Sequence, residues 1–173
     1  RNFLIKLPQV GISLEKLLEN QLRFMKQYYD VTAISADFSN LERVGKLQEV
    51  PVYAIEMTRK ITPWQDLKAM WQLFRFFKKE KPFIIHTHTP KAGTVGMLAA
   101  RLAGVPHRLH TVAGLPLLEA TGKKRRLLNF VEKITYACAT KVYPNSDGLK
   151  KIIIDGQFCK QEKLKVIGNG SSN

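Results

Sequence analysis

Short apolar runs alternate with helical patterns along almost the whole chain, and this alternation limits the fold more than any other feature. Strand-like runs are Asn2–Leu7, Val31–Ser35, Val52–Ile55, Phe83–His86, Leu109–Val112, Lys141–Pro144 and Leu164–Ile167. Helical patterns lie between them at Leu14–Tyr28, Asn40–Gln48, Trp64–Lys79, Ala92–Ala103, Leu127–Ala139 and Asp147–Ile154. Parallel neighbours need crossover connections, and helices in those connections cover the sheet. The expected class is α/β, a doubly wound parallel sheet with right-handed crossovers and helices on both faces.

Local signals set several of these limits. Ser13 is an expected N-cap, followed by a stripe of Leu14, Leu17, Leu18, Leu22 and Met25 at helical spacing. Pro63 suits a first helical position, where its missing N–H costs nothing. The helix after it should bury Leu67, Met70, Trp71, Phe74 and Phe77, and Pro82 should stop it. Gly104 is an expected left-handed C-cap.

The 173 residues suffice for one domain, and 45% hydrophobic with 24% charged residues excludes a disordered chain. The formal net charge of +14 is large for this size and points to an anionic partner: phosphorylated substrate, anionic membrane or nucleic acid. Cys138 and Cys159 have no metal-spaced companions and read as free thiols in a reducing cytoplasm. No run reaches the roughly 20 apolar residues of a membrane-spanning helix. The absence of an initial Met and the closing Gly/Ser/Asn run make the chain read as a piece of a longer protein.

In open parallel sheets, ligands bind beyond the carboxyl ends of the strands. The first such loop holds Gly11 before a helix start, where backbone N–H groups can approach a phosphate. Neither a Gly-x-Gly-x-x-Gly fingerprint nor a Gly-Lys-Ser/Thr phosphate loop is present. The fourth strand runs into His86-Thr87-His88-Thr89-Pro90-Lys91-Ala92-Gly93. His86 and His88 share one side of an extended segment, but no third ligand is evident, so no metal is expected. Thr89 and Lys91 are expected to face a polar or anionic ligand. His110 and Gly114, around the end of the fifth strand, are expected at the same cleft. No nucleophile elbow and no paired carboxylates are visible.

Lys123, Lys124, Arg125 and Arg126 open a helix, where the helix dipole disfavours cations. With Leu115, Leu117 and Leu118 nearby, they fit an anionic membrane interface better than DNA.

Ile85–Gly93 with Gly96-Met97-Leu98-Ala99-Ala100, then Thr111–Pro116, then Val166–Asn173, resembles the retaining family-4 glycosyltransferases of the GT-B fold. The resemblance covers nearly the whole chain, and within the family it points to enzymes of bacterial capsular or exopolysaccharide synthesis. It implies that residues 1–167 form an N-terminal Rossmann-like, acceptor-binding domain, one half of a GT-B enzyme. Residues 168–173 would then start a linker to a C-terminal nucleotide-sugar-binding half carrying a Glu-x-x-x-x-x-x-x-Glu motif. The implied reaction moves a sugar with retention from a nucleotide donor, expected to be a UDP-sugar, to a lipid-linked (polyprenyl diphosphate) saccharide. No cofactor or metal is implied, and no nucleic-acid partner. The implied location is cytoplasmic, at the inner face of the cytoplasmic membrane.

Carried over by position, Gly11 matches the glycine near the donor phosphates, and His88, Thr89, Pro90 and Lys91 match a cleft-lining loop. Thr111 to Gly114 matches a segment that reads Thr-Val-His-Gly in the family. The family histidine is Ala113 here, so either the backbone with a nearby group, His88 or His110, is expected to substitute for it as a catalytic group, or the acceptor is held differently. Asn145 and Ser146 match a polar pair after the sixth strand. The leaving diphosphate can take the acceptor proton itself, so the protein must chiefly align two substrates and stabilise negative charge. Two other readings are a sugar-nucleotide epimerase of the same architecture, with Glu119 as its best cleft carboxylate, and a basic nucleic-acid-binding module. The first lacks cleft carboxylates; the second lacks a recognition signature.

Overall fold

The computed structural model describes residues 3–7, 24–35, 46, 51–58 and 60–167. Six strands form one parallel sheet: β1 (Phe3–Leu7), β2 (Asp30–Ser35), β3 (Val52–Ala54), β4 (Ile84–Thr87), β5 (His107–Val112) and β6 (Lys141–Pro144). Their order is β3-β2-β1-β4-β5-β6, so the order reverses between β1 and β4. The register there sets Lys6 beside His86 and Leu7 beside Thr87. The expected strand at Leu164–Ile167 does not form. Gln161–Lys163 coils into a 3-10 turn just before it, and Leu164 meets Val142 in a single isolated bridge.

Four helices are described in full: α1 (Pro63–Glu80), α2 (Pro90–Ala103), α3 (Gly122–Cys138) and α4 (Asp147–Asp155). Most of the expected helix Leu14–Tyr28, its Ser13 cap and the expected helix Asn40–Gln48 lie outside the described residues. A 3-10 turn at Pro116–Glu119, not anticipated from the sequence, leads into α3.

The two faces of the sheet are packed separately. Ile34 and Ile85 belong to the main core under the helices, with Leu73, Phe77, Met97 and Tyr136. Val31 and Ala33 alternate to the other face and form a second cluster with Met25, Tyr29 and Ile84. Period-2 alternation with apolar residues on both sides is what a doubly wound sheet requires. Helix α2 lies against both α1 and α3. Its small buried residues Ala92, Gly93, Gly96, Ala99 and Ala100 let the neighbouring backbones come close.

Helix α1 buries only part of the expected stripe: Phe77 is buried, and Met70 and Phe74 are half-buried against the core. Ala69, Leu73 and Phe77 face the core, whereas Leu67 and Trp71 are 53% and 59% exposed. The i, i+4 row through the small Ala69 packs onto α2, which rotates the bulky Leu67–Trp71 row outward. The helix ends with Lys81 in the left-handed conformation (φ 48°), its N–H donating to the Phe77 carbonyl, so closure precedes Pro82. Gly104 (φ 79°) closes α2 as expected.

Candidate functional site

The carboxyl ends of β4, β5 and β6 lie beside the reversal of strand order, where open α/β sheets bind ligands. Alternation along β4 sorts the polar residues onto two faces. His86 donates to or accepts from Thr111 Oγ1 at 2.7 Å, and its ring lies 4.1 Å from that of His88. Tyr143 on β6 flanks His86, with ring centroids 6.4 Å apart. His86, His88, Thr111 and Tyr143 thus form a polar shelf on the face away from α2 and α3.

Thr87 and His110 point the other way. His110 Nδ1 lies 2.7 Å from Thr87 Oγ1, and its ring packs against Gly93 of α2 and near Tyr136 of α3. The register pairs Thr87 with His110, and paired parallel residues share a face. This corrects the expectation that His110 shares the cleft with His88. His110 is 2% exposed, and burial pushes its pKa down to about 4. It is a neutral packing residue, on the opposite face from the shelf and ill suited to carry a proton near neutral pH.

The loop after β4 is only partly as expected. Thr89 stands in extended conformation just before α2, and its Oγ1 is shielded from solvent with no hydrogen-bond partner among the described residues. Pro90 opens the helix. Lys91, expected to meet an anionic ligand, is instead engaged internally. Its Nζ lies 2.9 Å from both Asp66 carboxylate oxygens and also donates to the Lys60 carbonyl. Thr62 donates to the same Asp66 at 3.1 Å. Asp66, in the first turn of α1, was the carboxylate the sequence reading missed; its position three residues after Pro63 was the available signal.

Ala113 and Gly114 are exposed, and a Cβ added at Gly114 meets nothing within 4 Å, so this strand end is open to a ligand. Asn145 is half-buried, and its N–H donates to the Val112 carbonyl at 2.9 Å. Ser146 is exposed and caps α4, its Oγ accepting from Leu149 N–H at 3.2 Å. Ser146→Ala should therefore cost about 1 kcal/mol of stability in urea unfolding. Ligand affinity should be unchanged; a loss of affinity at equal stability would return Ser146 to the site. Gly11 lies outside the described residues.

In the basic run, Lys123, Lys124 and Arg126 are exposed, while Arg125 is half-buried. Arg125 donates to the Leu117 carbonyl and to Asn129 Oδ1, pinning the Pro116–Glu119 turn. Leu115 and Leu117, expected to be surface companions of these cations, are buried. Leu118, Leu127 and Phe130 are the exposed apolar residues there. One further buried carboxyl, Glu132, sits a helical turn before Tyr136; burial raises its pKa, opposed by the Tyr136 hydroxyl. Among the described residues no cluster of three or more His, Cys, Asp or Glu could hold a metal, and no helix is long and apolar enough to cross a membrane.

Residues 21–170 match the family model described as a glycosyl transferase 4-like domain. The chain is 39% identical over 158 residues to the capsular polysaccharide biosynthesis glycosyltransferase CapM of Staphylococcus aureus, covering 91% of this chain and 41% of that protein. It is 36% identical over 115 residues to an Escherichia coli UDP-Gal:α-D-GlcNAc-diphosphoundecaprenol α-1,3-galactosyltransferase, covering 66% of this chain and 30% of that one. The chain therefore spans less than half the length of these relatives. In fold it is similar to the UDP-GlcNAc 2-epimerase of Neisseria meningitidis, solved with UDP-GlcNAc, at a TM-score of 0.68 and 17% identity. That match covers 96% of this chain and 47% of the epimerase.

Proposed function

The chain belongs to the glycosyl transferase 4-like family, and from that membership we propose that it is the acceptor-binding half of a retaining glycosyltransferase of bacterial surface-polysaccharide synthesis. The observation that carries this reading is the polar shelf at the β4 and β5 ends, beside the strand reversal. There the Thr89 hydroxyl has no hydrogen-bond partner among the described residues and Ala113-Gly114 stands open. The donor is a UDP-sugar and the acceptor a saccharide on a polyprenyl diphosphate; the kinds of relative the chain resembles support both. A second half of the protein brings the nucleotide pocket, and no cofactor is needed.

In this reading the shelf aligns an acceptor hydroxyl against the donor, and the leaving diphosphate receives the acceptor proton. The chain's contribution is positional, a term that can supply several kcal/mol of the barrier. His88, which is buried, and Thr89, which is half-buried, are the β4-end residues assigned to the substrate in this reading. The shared fold with an epimerase does not favour epimerisation, because it rests on 17% identity. A screen of UDP-sugars against polyprenyl-diphosphate saccharides with the full-length protein tests the reading, with the product anomer read by NMR. Transfer with retained configuration is expected. UDP-sugar epimerisation without transfer would overturn it.

The protein works at the inner face of the cytoplasmic membrane. The support is the exposed Lys123, Lys124 and Arg126 beside exposed Leu118, Leu127 and Phe130, an amphipathic basic surface. Each cation near an anionic bilayer contributes about 1 kcal/mol. Lys123→Ala with Arg126→Ala, leaving the structural Arg125 intact, should thus weaken sedimentation with phosphatidylglycerol vesicles about 30-fold at low salt. Unchanged sedimentation would remove this surface from membrane docking.

A further inference from the structure

Between the segment leading into α1 and the turn leading into α3 runs a groove of about 510 Å³. Lys60 and Ile61 line one wall; Pro116, Glu119, Lys124 and Leu128 line the other. Both walls are held from inside by cations that are thereby spent. Lys91, fixed on Asp66, donates to the Lys60 carbonyl, and Arg125 donates to the Leu117 carbonyl. These bonds fix the backbone on both sides, and Lys60 and Lys124 are the two cationic residues among those lining the groove. Among the described residues neither ammonium is held in an ion pair.

The groove also lies at the correct end of the sheet. The segment before α1 follows β3, and the turn before α3 follows β5, so both walls are at the carboxyl edge that carries the shelf. Two lysines against the single carboxylate of Glu119 leave the groove cationic, while Ile61, Pro116 and Leu128 make it partly apolar. The exposed Trp64 (86%) and Leu118 (45%) continue the apolar surface just beyond it in sequence.

We infer that this groove seats the diphosphate and first isoprene unit of the lipid carrier, with Lys60 and Lys124 contacting the phosphates. The inference rests on the acceptor-side reading above and gives it a specific anchor. A prenyl diphosphate joins two properties the groove presents together: charge for two ammonium groups and an apolar tail for Ile61, Pro116 and Leu128. A nucleotide would share only the first.

The test titrates the full chain with farnesyl diphosphate, inorganic pyrophosphate and UDP, in the absence of membranes. Farnesyl diphosphate should bind about tenfold or more tighter than either of the others, since burying an isoprene unit adds to the phosphate contacts. Lys60→Gln and Lys124→Gln should each weaken farnesyl diphosphate about tenfold. Lys141→Gln, an exposed lysine at the opposite edge of the sheet, should leave it unchanged. Circular dichroism of these surface variants confirms that each is folded. Unchanged binding in both groove variants, or an equal loss in Lys141→Gln, would overturn the inference. Pyrophosphate binding as tightly as farnesyl diphosphate would reduce the site to a free-phosphate seat, and UDP binding as tightly would make it a nucleotide seat; either rejects the lipid carrier. Failure of the broader reading looks different. Sugar transfer with an acceptor KM insensitive to both lysines rejects only the groove, whereas lysine-dependent farnesyl diphosphate binding without any transfer rejects only the glycosyltransferase reading.

Discussion

Gly93→Ala should lower the unfolding free energy by about 1–2 kcal/mol, although alanine is intrinsically the better helix former. The added Cβ would stand 2.3 Å from His110 Cε1 and 2.8 Å from its Nδ1. Helix propensity alone would favour alanine by about 1 kcal/mol. Overpacking opposes it, and such insertions cost roughly 1–3 kcal/mol or more where neighbours cannot yield. Here they cannot yield easily. His110 is buried and bonded to Thr87, and α2 is packed against both α1 and α3. Urea unfolding of Gly93→Ala, His110→Ala and the double variant separates the terms. The double variant should recover most of the Gly93→Ala loss; simple additivity would show that the glycine is required for some other reason.

Stability should also fall on acidification, with His110 supplying about 2–3 kcal/mol of the loss between pH 7 and pH 4.5. The folded pKa of about 4 lies below the ordinary 6.5. In that window the unfolded chain binds a proton that the folded chain refuses, so folding loses ground as pH falls. The contribution is fully present above about pH 6.5 and declines toward pH 4. Because burial causes the shift, His110→Gln should flatten this part of the profile even if it destabilises the protein overall. Equal pH slopes in wild type and His110→Gln would show that the ring is solvated. The same measurement bears on chemistry, because an imidazole with this pKa is a poor proton carrier near neutral pH.

These two predictions centre on a residue that the sequence pattern puts at the cleft and the fold buries on the other face. The alternation of strands and helices was legible, and so were the Gly104 cap, the Pro63 start and the strand ends at Val112 and Pro144. Each depends on local backbone preference or on period-2 burial. Which face His110 takes follows from the β4–β5 register, which pairs it with Thr87. The register itself is a long-range fact that spacing alone does not supply. The outward turn of Leu67 and Trp71 has the same origin. Five bulky apolar residues look like a core stripe until the small Ala69 row meets the small-residue face of α2. Lys91 looked like a free cation because its partner, Asp66, lies 25 positions away and joins it only through the packing of α1 on α2. The Leu164 segment had strand composition, yet the turn at Gln161–Lys163 left room for a single bridge.

What remains at the strand ends, after these internal partners are taken out, is small and specific. His88 and Thr89 stand on the shelf, Ala113-Gly114 leaves space, and Lys60 and Lys124 line the adjoining groove. Six of the 28 Lys and Arg residues thereby have distinct places. Lys91 and Arg125 brace backbone, Lys123 and Arg126 face outward, and two lysines remain for phosphate.

Steady-state kinetics of the full-length enzyme carrying Thr89→Val test the central claim that this half holds the acceptor. The substitution keeps the shape and removes a hydroxyl with no hydrogen-bond partner among the described residues, so the fold should be unaffected. A hydroxyl that bonds the acceptor contributes about 1 kcal/mol or more. The acceptor KM should therefore rise about five- to tenfold while the UDP-sugar KM stays constant. A rise in the UDP-sugar KM with the acceptor KM unchanged would contradict the assignment and place the donor on this shelf.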